Sequence, residues 1–336
     1  MGITNYPHGL ASNGVPLLGG QARFDGWWGK SRFVDYDHGS DSKTGLSPEL
    51  AYKNLQTAIT ASSINDVIYV RNRDQDITST DPEYIIPAST TNWSIAEAQT
   101  HLSIIGASNM SHIPFQAGSL AVYLRGHGTA NTTAVMDVRG AFTLIENLAF
   151  HRGASTAGGL IALTGNSTSL RALGTTISNC LFRLYSSTTH GAIYSLDNWF
   201  INIFGCDFHD CLVGIHFYGS SSTVRRERIA SCIFRNQTAA SVCNNIYLAG
   251  SSGQDVTISD CDFLGEVPTA TTGPSGVAGC IYAGSAIQGT VIRCNYSDDS
   301  IEGTAAAAIT ANGLTQVACN QAKWGADTGP GGLEGS

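Results

Sequence analysis

The segment Ile203-Phe204-Gly205-Cys206-Asp207-Phe208 decides the fold, because its pattern returns along the chain. In five copies an aliphatic residue comes three positions before a cysteine, and an aromatic residue comes two positions after it. The cysteines are Cys180, Cys206, Cys232, Cys261, Cys294 and Cys319, and the first five are followed by Phe182, Phe208, Phe234, Phe263 and Tyr296. Successive cysteines are 26, 26, 29, 33 and 25 residues apart, and internal periods in this range predict a solenoid.

Each repeat predicts three short strands. The first strand carries the aliphatic column Ile145, Ile177, Ile203, Ile229, Ile258 and Val291, which decays at Gln316. Small or polar residues then suit a bend before the cysteine strand, at Asn147, Asn179, Gly205, Ser231 and Asp260. A third strand is centred on Leu160, Ile193, Ile215, Ile246, Ile281 and Ile309. Three strands per coil describe a parallel β-helix, whose cysteine and aromatic columns become interior ladders. Leucine-rich repeats share the period, but their dense leucine consensus is missing.

Composition and charge exclude several function classes. The chain has 38 glycines, only 13% charged residues and a formal net charge of -8, which opposes nucleic-acid binding. Arg225, Arg226 and Arg228 cluster beside Glu227, and we expect a solvated loop there. No apolar run is long enough for membrane insertion, and residues 1–20 lack a secretory signal pattern.

The nine cysteines fit reduced core thiols better than a disulfide framework. A metal site at Cys206, His209 and Cys211 is a weaker reading, because paired ligand spacing is absent and Cys206 already fits the core. We therefore expect no metal and no cofactor.

Residues 1–30 predict an extended attachment arm. Their apolar residues follow no steady period, so the segment cannot build a core of its own. Either it is a disordered tail or it orders on a partner, and its aromatic content favours the second. The expected contact residues are Tyr6, Pro7, Leu10, Val15, Pro16, Leu17, Leu18, Trp27 and Trp28.

Residues 31–66 predict a strand at residues 33–37, a turn and a capping helix. Ser47-Pro48-Glu49 has the features of a helix start, with Ser as N-cap. The helix would place Ala51, Leu55, Ala58 and Ile59 on one face and close the first coil. Residues 67–325 are the predicted β-helix, with early strands at residues 67–70 and 102–105 and a loop excursion at residues 71–100. Residues 326–336 form a C-terminal tail.

Three stretches carry a resemblance to known proteins. The run Phe33-Val34-Asp35-Tyr36-Asp37-His38-Gly39-Ser40-Asp41-Ser42-Lys43-Thr44-Gly45-Leu46-Ser47-Pro48 resembles the beginning of right-handed parallel β-helix proteins of the pectate-lyase-like superfamily. Trp324-Gly325-Ala326-Asp327-Thr328-Gly329-Pro330 is similar to a closing segment of that group, although Lys323 replaces its first Trp. The opening Ile3-Thr4-Asn5-Tyr6-Pro7-His8-Gly9-Leu10, continued by residues 14–20, resembles the start of bacteriophage virion proteins that carry a β-helix behind a short arm.

The resemblance implies a bacteriophage virion structural protein, either capsid-decorating or a surface spike. It implies a homotrimer made in the host cytoplasm, located on the capsid or tail and bound through its arm to the major capsid protein or another virion protein. This superfamily also contains lyases and hydrolases, so the fold alone does not assign an activity.

A tail-spike polysaccharide depolymerase is the enzyme alternative. The outward position after the cysteine reads Leu181, Asp207, Ile233, Asp262, Asn295 and Asn320. Asp207 and Asp262 are two coils apart, roughly 9.6 Å, near the upper limit for an inverting carboxylate pair. Asp210, Asp260, Asp298 and Asp299 are further carboxylates. Solvated turn carboxylates explain all of them more simply, so we expect no catalysis. A free glycan-binding adhesin is the third class.

A second outward column is aromatic: Tyr194, His216, Tyr247 and Tyr282 each follow the buried isoleucine of the third strand. Stacked rings offer apolar area with a polar edge, which suits another subunit or a host surface glycan. Strand propensity alone is a further explanation. We expect a subunit contact first and carbohydrate last.

Overall fold

The structure is a computed structural model of all 336 residues. It describes residues 11–12, 15–16, 29–72, 84–85, 92–107, 122–125, 134–151, 159–164, 172–183, 190–219, 224–236, 244–250, 253–265, 279–283, 287–297, 309–311 and 314–322. Three long parallel sheets run through these residues, and most coils contribute one strand to each sheet.

The first sheet contains the aliphatic column. Its strands are β3 (Ser31–Val34), β4 (Val67–Arg71), β7 (Ser103–Ala107), β10 (Leu144–Glu146), β13 (Thr176–Ser178), β16 (Asn202–Phe204), β19 (Val224–Arg225), β20 (Arg228–Ala230), β23 (Gly253–Ser259), β26 (Ile287–Ile292) and β29 (Leu314–Val317). Ile145, Ile177, Ile203, Ile229, Ile258 and Val291 pair in register from coil to coil, and Val291 pairs with Gln316. The predicted period is therefore confirmed residue by residue.

The second sheet contains the aromatic column that follows the cysteines. Its strands are β5 (Tyr84–Ile85), β8 (Val122–Arg125), β11 (Leu148–His151), β14 (Leu181–Arg183), β17 (Asp207–His209), β21 (Ile233–Asn236), β24 (Asp262–Gly265), β27 (Asn295–Ser297) and β30 (Asn320–Ala322).

The third sheet closes each coil. Its strands are β6 (Trp93–Ile95), β9 (Met136–Val138), β12 (Ile161–Thr164), β15 (Ile193–Leu196), β18 (Val213–Gly219), β22 (Asn244–Gly250), β25 (Gly279–Ala283) and β28 (Ile309–Ala311). Its register corrects one expectation, because Ile161 rather than Leu160 pairs with Ile193. Both residues are fully buried, so apolar character alone did not distinguish them.

The bend between the first and second sheets is a left-handed backbone position in successive coils. Asn147, Asn179, Gly205, Ser231 and Asp260 have φ values of 60°, 50°, 62°, 52° and 53°. Asn, Asp and Gly tolerate this conformation best, which is why the column reads as small and polar in the sequence. The bend fixes the distance from the aliphatic column to the cysteine column.

The interior contains a continuous stack of rings. Adjacent centroids along Phe150, Phe182, Phe208, Phe234, Phe263 and Tyr296 are 5.3, 4.8, 4.8, 5.0 and 5.0 Å apart, with interplanar angles of 11° or less. All six side chains are buried. Parallel register forces this stacking, because each coil places its ring directly over the one before.

The cysteine column lies beside the rings. Cys180, Cys206, Cys232, Cys261 and Cys294 are buried and free, and Cys319 is partly exposed. The Cys206 thiol lies 3.8 Å from the carbonyl oxygen of Ile177 and 3.6 Å from that of Phe204. Burial raises the pKa of Cys206, so the thiol form persists in the core.

The N-terminal cap differs in detail from the predicted one. A 3₁₀ helix (Pro48–Leu50) and α1 (Leu55–Ala61) replace one continuous helix, and Ser47 makes no side-chain cap hydrogen bond. The interruption arises because Tyr52 pairs with the first strand, donating to the Phe33 carbonyl and accepting from the Asp35 N–H. The strand is residues 31–34 rather than 33–37.

The predicted apolar face of the cap is buried. Ala51, Leu55, Ala58 and Ile59 have almost no exposed surface, and α1 contacts β3, β4 and β6. Residues 71–100 are not one irregular excursion, since they contain β5 and β6.

Little of the predicted arm is described. β1 (Ala11–Ser12) and β2 (Val15–Pro16) form a short antiparallel pair. Tyr6, Pro7, Leu10, Leu17, Leu18, Trp27 and Trp28 lie outside the described residues, as do residues 323–336. Neither described helix has the length and apolar character needed to traverse a bilayer.

Candidate functional site

The outward carboxylates of the second sheet are tied to neighbouring coils. Asp207 pairs with Ile233, which pairs with Asp262, so an isoleucine separates the two candidates. The Asp207 carboxylate accepts from Arg235 Nε at 3.0 and 3.2 Å. Asp262 accepts from the Asn295 side-chain amide at 2.7 Å. The structure thus places the pair on one column but does not bring the two carboxylates together.

Asp207 is partly desolvated. Burial raises its pKa above the ordinary value, although Arg235 acts in the opposite direction. A raised carboxyl pKa is a property of general acids in glycosidases, so Asp207 is the better of the two candidates.

The other carboxylates are also engaged or lie outside the described residues. The Asp260 carboxylate accepts from Arg293 at 2.7 and 2.8 Å on an exposed surface. Asp210 lies 3.5 Å from the His209 imidazole. Asp298 and Asp299 lie outside the described residues. Within the described part of the chain, no group of three or more His, Cys, Asp or Glu side chains could hold a metal ion.

The predicted aromatic column exists on the outer face of the third sheet. Tyr194, His216, Tyr247 and Tyr282 pair in register on successive coils. The centroid distances between neighbours are 5.2, 4.5 and 5.4 Å, with interplanar angles of 63°, 34° and 51°. The tyrosines are half-buried. Because the four residues pair in register, their rings form one continuous strip along the helix axis.

His216 is buried although it lies on an outer face. Its side chain contacts the rings of Tyr194, Tyr218 and Tyr247, and the residue is only 3% exposed. Neither ring nitrogen has a hydrogen-bond partner among the described residues. Burial lowers the pKa of His216 to about 3, with a further contribution from His190, so the imidazole is neutral. Burial likewise raises the pKa of Tyr194 to about 12, together with Tyr218 and Asp197.

A second outer column on the third sheet was missed by sequence reasoning. Thr164, Leu196, Tyr218 and Ala249 pair in register two positions beyond the aromatic column. The first outer column, which contains Tyr194, extends two coils further toward the N-terminus, where Tyr194 pairs with Ala162 and Ala162 pairs with Asp137. The available signal was the period of two from Tyr194 to Leu196 and from His216 to Tyr218.

A basic column on the second sheet was also missed. Arg125, His151, Arg183, His209 and Arg235 pair in register on five successive coils. Arg235 and His209 contact Asp207 and Asp210. The signal was a basic residue one position after the inward residue of each strand, which is Leu124 in the first of these coils and phenylalanine in the other four.

The arginine cluster was expected to be a solvated loop, and one member of the segment corrects that expectation. Glu227 is fully buried, and its carboxylate accepts from the Ile201 N–H at 2.7 Å. Arg226 and Arg228 are exposed, and the Arg226 guanidinium lies 5.7 Å from the centre of the Phe200 ring. The position of Glu227 is equivalent to that of Thr175 and Val256 in other coils, and both of those residues are buried. The number of charged residues in the segment could not reveal that Glu227 is buried as well.

Comparisons with known proteins identify the fold alone. No protein-family model matches the chain, and no curated protein matches it. A GH136 lacto-N-biosidase from Eubacterium ramulus superposes with a TM-score of 0.50 and 10% identity, over 80% of this chain and 56% of that one.

Two other solved structures are similar at lower TM-scores. Geobacillus virus E2 ORF18 gives a TM-score of 0.45 at 16% identity, over 72% of this chain and 48% of that one. Pectin methylesterase from carrot gives 0.46 at 13% identity, over 88% and 84%. The chain spans about half the length of the viral protein and of the lacto-N-biosidase. Its stacked parallel sheets and its likeness to the lacto-N-biosidase give this chain the fold of a right-handed parallel β-helix protein.

Proposed function

We propose that this protein is a bacteriophage virion structural protein, capsid-decorating or a surface spike, held to the particle by residues 1–30. The observation that carries the structural role is the engagement of the outward carboxylates in contacts between coils. Asp207 binds Arg235, Asp262 binds Asn295, and Asp260 binds Arg293. Such contacts stiffen a solenoid and leave these carboxylates poorly placed for acid and base catalysis.

The virion location rests on the N-terminal resemblance. The opening residues 3–10 and 14–20 are similar to the beginnings of phage proteins that place a β-helix behind an arm. The arm would bind the major capsid protein or another virion protein, and the β-helix would project outward. We further propose a homotrimer, which light scattering of the purified chain would test directly.

Deleting residues 1–30 tests the arm. The truncated chain is expected to keep the circular dichroism spectrum of the full chain but to be absent from purified particles. A double substitution, Trp27→Ala with Trp28→Ala, is the finer variant, because it preserves chain length. Cryo-electron microscopy of particles carrying the full chain would place the arm at the shell or at the tail. Undiminished incorporation of both variants would contradict the proposal.

A tail-spike depolymerase is the second candidate, and the raised pKa of Asp207 is the observation that favours it. In that case Asp207 would act as the general acid and Asp262 as its distant partner. If the protein is instead a free adhesin, it should bind glycan without cleaving it and should not associate with virus particles.

A further inference from the structure

The outer face of the first sheet carries almost no charge. On strands β7, β10, β13, β16, β20, β23, β26 and β29, the residues directly before and after the inward position point outward. Both outward columns pair in register, and their only charged members are Glu146 and Arg228. We name them together the first-sheet face: Ser103, Leu144, Thr176, Asn202, Arg228, Thr257, Thr290 and Thr315, with Ile105, Glu146, Ser178, Phe204, Ala230, Ser259, Ile292 and Val317. All of them except Ser178 are exposed or half-exposed.

The outer faces of the other two sheets carry more charge. The third sheet has the ion pair of Asp137 with Arg139. The second sheet has the acidic positions Asp207 and Asp262 beside the basic column Arg125, His151, Arg183, His209 and Arg235. When identical solenoids pack side by side in parallel, each coil meets the same coil of its neighbour. A charged column would then meet its own like charges, which is unfavourable. The first-sheet face is therefore the one best suited to contact with itself.

Large apolar side chains are exposed on the first-sheet face and at its edge. Phe204 and Val317 are 42% and 47% exposed on the face itself. Phe142 and Phe200 are 43% and 40% exposed at the corner where the chain enters the sheet. In their described residues the second and third sheets each expose one large apolar side chain, Leu264 and Tyr218. Aromatic residues without nearby charge are typical of the centre of a protein interface.

The two corner phenylalanines are costly in an isolated chain. Phe142 and Phe200 have φ values of 56° and 60°, in the left-handed region that bulky residues seldom adopt. The same position, two residues before the first outward residue of the strand, is filled in other coils by Asn65, Gly174 and Asp255. Those residues tolerate the conformation better, and backbone strain of this kind is concentrated at functional sites. A partner that buries both rings would offset part of the cost.

Contacts between coils hold the corner rings in place. The Phe142 ring stacks on the His101 imidazole, with centroids 4.8 Å apart and an interplanar angle of 17°. The Arg226 guanidinium lies 5.7 Å from the centre of the Phe200 ring and 3.7 Å from the Asp255 carboxylate. A side chain that is already held in one orientation loses little freedom when a partner covers it.

We propose that identical copies of this chain contact one another through the first-sheet face, with Phe142, Phe200 and Phe204 as anchors. Eight strands at a spacing of about 4.8 Å make the face roughly 34 Å long, and the span from the corner to the second column is roughly 13 Å. A straight strip of this shape fits a parallel partner of the same length. The number of copies rests on the proposed homotrimer, whereas the choice of face rests on the charge and exposure of the first sheet.

This contact also suits the proposed attachment arm. β3, the first strand of the same sheet, begins at Ser31, directly after residues 1–30. Copies that are joined through the first sheet would therefore begin their arms at one end of the assembly. Arms that are linked in this way bind a common surface more strongly than separate arms.

The aromatic column of the third sheet is the competing contact surface. Its rings already bury one another, since His216 is 3% exposed and contacts Tyr194 and Tyr247. Tyr218, which is exposed beside that column, supplies a matched control for an exposed aromatic residue on a different face. Leu264 supplies the equivalent control on the second sheet.

Light scattering of the full chain and its variants measures the number of associated copies. We expect the parent at three times its chain mass of 35.3 kDa. Phe204→Arg and Thr290→Arg each place a charge on the first-sheet face, and each should weaken self-association at least about hundredfold, because the charge would be buried without a partner. Tyr218→Arg and Leu264→Arg should associate within about twofold of the parent. Circular dichroism verifies the fold, and Thr290→Arg decides the matter even if Phe204→Arg does not fold.

A cross-linking experiment tests the same contact without disrupting it. In a parallel arrangement Ser259 of one copy lies near Ser259 of its neighbour. Ser259→Cys treated with a short bismaleimide should therefore yield covalent dimers and trimers, whereas the parent treated in the same way should not.

Several outcomes would overturn the proposal. These are a monomeric parent, unchanged association of both first-sheet variants, or dissociation caused by Tyr218→Arg or Leu264→Arg alone. A dimeric parent that Phe204→Arg dissociates would support the face and correct the number of copies. Incorporation into particles tests the virion role separately, since a trimer that depends on the first-sheet face but is absent from particles would contradict only that role.

Discussion

Arg235 donates through one nitrogen to both carboxylate oxygens of Asp207, at 3.0 and 3.2 Å, although the two residues lie on successive coils. The contact is diagonal, since Arg235 pairs in register with His209 and Asp207 pairs with Ile233. The carboxylate is therefore directed along the helix axis toward a cation. The proposed structural role of the second sheet rests mainly on this relationship.

The double variant Asp207→Asn with Asp262→Asn tests that interpretation. We expect that neither the parent protein nor the double variant releases reducing sugar from host polysaccharide. We also expect Asp207→Asn alone to change the free energy of unfolding by less than about 1 kcal/mol, as for other partly exposed ion pairs. Cleavage by the parent that disappears in the double variant would replace the structural proposal with the depolymerase. Cleavage that survives both changes would move the active site elsewhere.

The ring stack predicts a large loss of stability on truncation. Phe208 is 2% exposed and lies 4.8 Å from both Phe182 and Phe234. Phe208→Ala should lower the free energy of unfolding by about 3–5 kcal/mol, because it opens a cavity and breaks two ring contacts. Phe204→Ala on the preceding strand is the control, since that ring is 42% exposed. Equal losses in urea titrations would show that the stack is not the core.

The rate at which each thiol reacts with a solvent reagent measures how well the coils shield the cysteine column. Cys319 is partly exposed, whereas Cys206 and Cys232 are fully enclosed. Cys319→Ser should remove one rapidly reacting equivalent in an Ellman assay of the native protein. Cys206→Ser should leave the rapid phase unchanged and reduce only the total found after denaturation. Rapid modification of Cys206 would mean that the coils open locally.

Asp35, which directly follows the first strand of the β-helix, is expected to make a pH-dependent contribution to the free energy of unfolding. Asp35 accepts from the Arg71 guanidinium at 2.7 Å and from the Asp37 and His38 N–H groups at 3.0 and 3.1 Å. Burial alone would raise the pKa of Asp35, but Arg71 and His38 outweigh it and hold the pKa below its ordinary value. The contribution is present above the unfolded pKa of about 3.9 and is lost as pH falls through the folded pKa.

Asp35→Asn should therefore melt at a lower temperature than the parent at pH 7, and the difference should shrink toward pH 3. Asp255→Asn serves as the control, because the Asp255 side chain is 73% exposed. A difference that stays constant from pH 7 to pH 3 would mean that the charge of Asp35 is irrelevant to folding.

Sequence reasoning recovered the features that repeat in every coil. The cysteine, aromatic and aliphatic columns are strong signals because parallel register demands the same residue type at the same place. It failed where one coil differs from the rest. Glu227 is buried where other coils have Thr or an aliphatic residue, and Tyr52 interrupts the predicted cap by pairing with Phe33. His216 belongs to a recognised column, yet its burial depends on neighbouring rings that only the three-dimensional structure brings together.

The left-handed bend has a fixed length, so differences in length between coils fall in the other connections. Its spacing is constant, since Ile203 to Cys206 and Ile258 to Cys261 both span three residues. The offset from the inward aromatic residue of the second sheet to the isoleucine of the third sheet instead ranges from seven positions, from Phe208 to Ile215, to eighteen positions, from Phe263 to Ile281. Insertions in such connections leave the interior register untouched. Changes of length in the connections that lead onto the third sheet can therefore alter the surface beside that sheet while the interior scaffold stays the same.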